Sequence, residues 1–456
     1  VLAGFVLLIV WLHAVPTPVE SMVDPEPDLA RVTERDLDLV EALNLVPAWE
    51  RRLYAALMLE GAGEVEQAVA WYEELSRVSL DPGVDIRLAV LEAERDLPRA
   101  LRQRLDEWQG RGEPFPGLAE ALAAAYLGEP VAGEARAFRR VLAPPLGEDT
   151  WFLDRVSIAL GRRAGDAALV AEAEAALRSR AGRMLARARA LVLLDVATLV
   201  LGAAALALVA RRLRRDPASV RVAGAALPPP WPPGMAPAVL LRGGAAGAVI
   251  MLAFFLTDAE SAGVRVLISL GGNVAALPVL LLARRHLFRP AGQDIGGALG
   301  LVPDRARWPA LVLVVLAAVG VGTLGDWGSA LLGALAGSES HWSEWFDADL
   351  VWAPPAVALA ATLDAVVMAP VLEEIVFRGL LFGALRMRLA LPGAALASAV
   401  VFAGAHGYGM VGFASVLVSG VVWAYAYERT GSLVPAMAAH AVNNAAATLT
   451  VVLIYR

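Results

Sequence analysis

The sequence predicts an all-α protein: a polytopic membrane helix bundle of about eight spans, preceded by an N-terminal helical soluble domain. Three observations carry this. Hydrophobic residues make up 58% of the 456 positions, charged residues only 19%, and the mean hydropathy is +0.58. That is too apolar for a disordered chain or an ordinary soluble enzyme. The charge is uneven: residues 16–190 hold 31 acids against 22 arginines, residues 191–456 hold 15 against 17. Long apolar runs are confined to the second region. The net charge of −7 carries no basic signature of nucleic-acid binding. With no cysteine, disulfides, thiolate-held metals and thiol nucleophiles are excluded.

The chain opens on an apolar run, Val1 to Leu12, shorter than the ~20 residues of a span. Residues 1–15 read as a hydrophobic anchor or signal, and the prolines between Pro16 and Pro27 as a linker. Residues 16–190 read as a soluble helical domain. Ala68, Ala100, Ala135 and Ala171 are spaced by 32, 35 and 36 residues. A period near 34 suggests stacked helical hairpins, and the segment around Ala68 and Tyr72 resembles a tetratricopeptide repeat. Such a domain offers no catalytic chemistry and would bind a protein partner or place a substrate.

From Leu191 the apolar runs begin. Candidate spans are 191–210, 237–256, 263–283, 308–335, 361–385, 391–405, 412–427 and 433–453. Residues 191–350 are spans outside the motif-bearing core, which occupies 351–456. The run 391–405 is short and should end inside protein. Arginines at 211–215, 284–289, 305–307, 386–388 and 429 fall on one side, which the positive-inside rule assigns to the cytoplasm. A multi-pass protein of a bacterial inner membrane follows, with residues 16–190 outside the cytoplasm.

Ionisable groups inside spans cost about 2.5–3.5 kcal/mol each and are functional suspects. Asp195, Arg242, Arg265 and Asp364 read as span-end residues. The later spans hold a cluster: Glu373, Glu374, Arg378, His406, His440, Asn443 and Asn444. On a helix Glu374 and Arg378 are four apart and pair. Glu373 points elsewhere, so another helix must supply its partner. Residues 373 and 406 are equidistant from the turn near Leu391-Pro392-Gly393. In a regular hairpin they lie at one height, which predicts that Glu373 meets His406. A carboxylate and an imidazole there suit a general base with a helper, a metal site or a packing ion pair. His440 and Asn444 share one face of the last helix. They could donate to an oxyanion or bond between helices, and His440 could be a further metal ligand.

The order Glu-Glu-x-x-x-Arg, Phe-x-x-x-His, His-x-x-x-Asn resembles the CPBP family of intramembrane proteases. That family includes CAAX endopeptidases that trim prenylated proteins and members linked to bacteriocin immunity. Glu428 to Pro435 is also similar, and the resemblance spans roughly residues 355–450. It implies that Glu373 activates water with His406 assisting, that His440 and Asn444 hold the oxyanion, and that Glu374 and Arg378 brace the first helix. The implied partners are the lipid bilayer and a membrane-protein, prenylated or hydrophobic peptide substrate. Zn²⁺ on Glu373, His406 and His440 and a metal-free glutamate–water mechanism both remain open. The rival readings are a non-catalytic scaffold or immunity protein, and a transporter whose helices break near Gly404, Gly407, Gly409 and Gly412.

Overall fold

The structure is a computed structural model that describes residues 24–57, 64–95, 98–128, 135–255, 261–338 and 340–456. The apolar run at 1–15 lies outside the described residues. Among the described residues the regular structure is helical, with no strand. The described residues divide into an N-terminal unit, up to residue 192, and a membrane unit from residue 193 to 454, with residue 455 grouped with the first and residue 456 with the second.

The N-terminal unit is a succession of amphipathic helices. They are α1 Pro25–Asn44, α2 Ala48–Leu57, α3 Glu64–Leu75, α4 Pro82–Glu94, α5 Pro98–Trp108, α6 Phe115–Tyr126, α7 Ala135–Leu146, α8 Trp151–Ala164 and the start of α9, Ala167–Arg215. Local signals start them where the sequence places turn residues. Asp81 accepts from Gly83 N at 2.7 Å to cap α4, and Thr150 accepts from Leu153 N at 3.2 Å to cap α8. The core gathers Leu29, Tyr72, Leu91, Leu122, Leu142 and Phe152, all fully buried. The four periodic alanines fall on every second helix, α3, α5, α7 and α9. Ala68 and Ala135 are buried while Ala100 and Ala171 are exposed. One repeated helix–helix contact therefore does not run through all four.

The membrane unit continues from α9 into α10 Met235–Phe255, α11 Ala262–Phe288, α12 Arg305–Ala336, α13 Pro355–Arg386, α14 Leu391–Gly404, α15 Met410–Thr430 and α16 Val434–Tyr455. Among the described residues seven helices, α9 among them, are long and apolar enough to cross a membrane. The eighth apolar helix, α14, has 14 residues. At 1.5 Å per residue it rises only ~21 Å, short of a ~30 Å hydrocarbon core. Proline in the first turn starts α13, α14 and α16, where its missing N–H costs nothing. Outward faces carry exposed Leu201, Leu252, Leu281, Leu332 and Leu396, as lipid contact requires.

Two features of the hairpin α13–α14 shape the site. First, α13 starts at Pro355 and includes π-turns at Asp364–Met368 and Glu374–Phe382. Asp364 is therefore nine residues inside the helix, hydrogen-bonded to Asn273, and is not an end residue. Second, α14 stops at Gly404. Gly407 takes a left-handed φ of 71° before α15 begins at Met410, a conformation that suits glycine. The chain does break in the glycine-rich stretch, and His406 lies in that break.

Candidate active site

Glu374 is the centre of the cluster. Its side chain and that of Arg378 are completely buried. Arg378 Nη1 donates to Glu374 Oε1 at 2.9 Å, the local pair that four-residue spacing predicts. The guanidinium face rests on the Phe402 ring at 3.9 Å and near Trp423 at 5.0 Å, a cation–π setting that replaces part of the lost hydration. Gly420 on α15 makes room: a Cβ there would come within 2.9 Å of Arg378 Nη2.

From α16, His440 brings its Nδ1 within 3.1 Å of the same Glu374 Oε1. A carboxylate already paired with arginine accepts, so Nδ1 carries the proton. The other ring nitrogen, Nε2, is 3.8 Å from Glu373 Oε2. That distance permits an ion pair but exceeds a hydrogen bond. The imidazole stacks on Trp423, with ring centres 4.1 Å apart and planes 20° apart. It also meets the edge of Phe402 at 5.9 Å. Its position is thus fixed from two sides and through Nδ1.

The two adjacent glutamates differ in access. Glu374 is fully enclosed, whereas the Glu373 side chain retains 32% of its exposure. Of the two carboxylates beside His440, only Glu373 can be reached from outside the protein.

The other sequence-picked residues are placed differently. The imidazole beside Glu373 is His440; among the described residues no hydrogen bond or ion pair joins Glu373 to His406. His406 faces the Phe402 carbonyl, Nδ1 to O 2.8 Å, and packs on the Phe402 ring at 4.6 Å. Since a carbonyl only accepts, Nδ1 is the protonated nitrogen. Equal height across a hairpin requires regular helices. The nine-residue π-segment of α13 alters the register, and His406 lies beyond the end of α14. Asn444 gives Nδ2 to the Ala365 carbonyl at 2.8 Å, fastening α16 to the first π-turn of α13. Asn443 lies on the α12 side, its Oδ1 3.3 Å from where a Gly322 Cβ would stand. Of the span residues read as lying near helix ends, Arg265 pairs with Asp349. Asp326 bonds Ser415.

Three side chains escaped the sequence reading. Trp423 stacks on one face of His440, and its spacing from Gly420 on one helical face is the available signal. Glu344 accepts from Gly409 N at 3.1 Å, fastening the break that holds His406. Tyr408 packs on His406, ring centres 5.5 Å apart.

Among the described residues no three His, Asp, Glu or Cys side chains gather as a metal-holding set. Glu374 Oε1 is already engaged by Arg378 and His440, and the arginine adds positive charge where a cation would have to sit. Glu373, His406 and His440 as placed here do not fit a zinc ion.

Residues 355–446 match the family model described as type II CAAX prenyl endopeptidase, Rce1-like. That segment is similar to the CAAX protease family. It contains every residue of the cluster and all of α14 and α15. No curated protein and no solved structure matches the chain. A protease segment embedded in a multi-pass membrane unit is what the three ordered motifs resemble. The tetratricopeptide resemblance finds no such support.

Proposed function

We propose that the membrane unit is an endopeptidase that hydrolyses peptide bonds within or near the bilayer, with Glu373 as the base. The observation that carries this is the unequal exposure of two adjacent glutamates around one fixed imidazole. Arg378 and Glu374 cancel. Glu373 adds one negative charge, and one proton held between Glu373 and His440 restores neutrality, which a low-dielectric interior favours.

In this mechanism Glu373 takes a proton from water as its oxygen bonds to the scissile carbonyl carbon. The carbonyl oxygen becomes an oxyanion and receives the Nε2–H of protonated His440. Asn444 has a second Nδ2–H to offer beside the one given to Ala365. When the C–N bond breaks, the proton on Glu373 passes to the leaving amine. His406, with Nδ1 committed to Phe402, has Nε2 free to accept from the same water. Glu374 and Arg378 orient His440. A hydrophobic or prenylated peptide is the substrate class, which the similarity to type II CAAX prenyl endopeptidases supports.

The test is cleavage of prenylated peptides and single-span helices by the protein in membranes. Glu373→Gln should lower turnover at least ~10²-fold, the scale of lost acid–base catalysis, with folding kept. Full turnover in folded Glu373→Gln would leave the scaffold reading standing. We further propose that residues 16–190 lie outside the cytoplasm of a bacterial inner membrane. A cysteine at exposed Gly112 should then react with an impermeant reagent on intact cells, from which the outer membrane has been stripped. Labelling only after inner-membrane permeabilisation would reverse this orientation.

A further inference from the structure

The N-terminal unit contains a cavity of about 320 Å³ between α1, the start of α8 and α9. This is within the range of small-ligand sites, roughly 300–1,000 Å³. Five arginines line it: Arg31, Arg35, Arg180, Arg183 and Arg187. Three carboxylates also line it, Glu34, Asp38 and Asp149.

Those carboxylates are engaged. Arg180 donates to Asp38 at 3.2 Å, Asp149 at 2.8 Å and Asp154 at 2.6 Å. Glu34 pairs at 3.8 Å with Arg87, which is not a lining residue. Arg35 reaches only the shared Asp38, at 3.5 Å, and its Nε is buried without a hydrogen bond. Among the described residues no ion pair is formed by Arg183 or Arg187; Arg183 gives Nη1 to Ser179 Oγ at 2.8 Å. Burial, and then the neighbouring Arg35, push Arg31 below the ordinary arginine range. Arg183 and Arg187 thus line the cavity with no ion pair among the described residues, and Arg35 shares its carboxylate with Arg180.

We propose that this cavity binds a phosphate group, held by the guanidinium forks of Arg35, Arg183 and Arg187. The planar fork matches two oxygens of a tetrahedral oxyanion, and the rim leaves room for part of the group that bears it. Two sources fit the same chemistry: a soluble phosphate or a lipid headgroup. Arg187 stands four residues, ~6 Å of helical rise, before Leu191, where the apolar run of α9 begins. That places a lipid phosphate within reach.

The experiment uses the full chain in a phosphate-free maltoside detergent. Calorimetric titrations are run with inorganic phosphate and with short-chain phosphatidic acid. Saturable binding of both would identify a soluble phosphate as sufficient, and binding of the lipid alone would identify the headgroup. Either supports the proposal. The variant carrying Arg183→Gln and Arg187→Gln lies outside the ion pairs of Arg180 and should bind at least ~10-fold more weakly. Acetate at equal ionic strength should not displace the ligand. If the double variant fails to fold, Arg183→Gln alone, at an exposed position, makes the same comparison. No binding of either probe to the wild-type chain, unchanged affinity in the folded variant, or equal displacement by acetate would overturn the assignment.

Discussion

Arg180 in the N-terminal unit and Arg378 in the membrane unit are both buried, yet their surroundings differ in kind. Arg180 is closed in by Asp38, Asp149 and Asp154, three acceptors with no histidine among them. Arg378 meets one carboxylate, and that carboxylate also meets an imidazole whose far nitrogen faces an exposed second glutamate. The first network has an exposed carboxylate, Asp149, but no imidazole that links it to an enclosed acid. The second has that link. Burial of charge alone therefore does not mark a site. A histidine shared between an enclosed acid and an accessible one does.

The comparison breaks most sharply if each arginine is removed. Arg180→Ala would strand buried Asp38 and Asp154, and removing one partner of a buried pair costs about 3–5 kcal/mol. Hydrogen exchange of α1 and α8 in the full chain should show it as a loss of protection, with peptide cleavage in the membrane unit unchanged. Arg378→Met should cost less stability, because His440 still donates to Glu374. Its larger consequence should be kinetic. Equal loss of protection in the two variants would mean that the His440 bond contributes little.

A second prediction sharpens the role of α16. Asn444→Ala removes an oxyanion donor and should lower kcat ~10²-fold. It also removes the tie to Ala365, so a kcat effect accompanied by lost protection in α16 would assign Asn444 to packing instead. Smaller still, Trp423→Leu keeps an apolar contact but frees the His440 ring. Misplacement of a catalytic group by ~1 Å can cost up to ~10²-fold; with two other contacts retained, about 10-fold in kcat is expected. Trp423→Phe should restore most of it. Turnover unaffected by Trp423→Leu would show that the Glu374 bond suffices to hold the ring.

What the sequence made legible follows the range of the interaction. Hydropathy marks each of the long apolar helices, because a span needs nothing beyond its own composition. It also singles out α14 as too short. The Glu374–Arg378 pair is legible because four-residue spacing is local. The meeting of His440 with both glutamates is not: it depends on how α16 packs on α13, and on a π-segment that no period in the sequence announces. His406 lies in a glycine-rich break beyond α14, where helical spacing does not carry its position. The aromatic cage of Phe402 and Trp423 was hidden among ordinary apolar residues of a membrane chain.

The smallest effect belongs to the N-terminal unit and tests whether its ionic network is as settled as its geometry indicates. Burial raises the Glu34 carboxyl to about 7, against the partial relief offered by Arg87, Arg31 and Arg35. The folded state therefore binds this proton more tightly than the unfolded chain, whose glutamate titrates near 4.5. Between those two values the native state holds more protons, so stability falls as pH rises. The contribution is complete below pH 4.5, is lost as pH climbs to about 7, and is flat above that. Asp38 and Asp154 are also raised by burial and act in the same direction. Glu34→Gln cannot ionise and should remove only its own share of the slope. Hydrogen exchange in α1, compared between variant and wild type at each pH so that intrinsic rates cancel, measures that share. Protection in the variant should match or slightly trail wild type at pH 5 and exceed it at pH 8. A wild-type advantage that grows with pH would mean that Glu34 is ionised and paired with Arg87 in the fold, making it one more closed ion pair like those around Arg180.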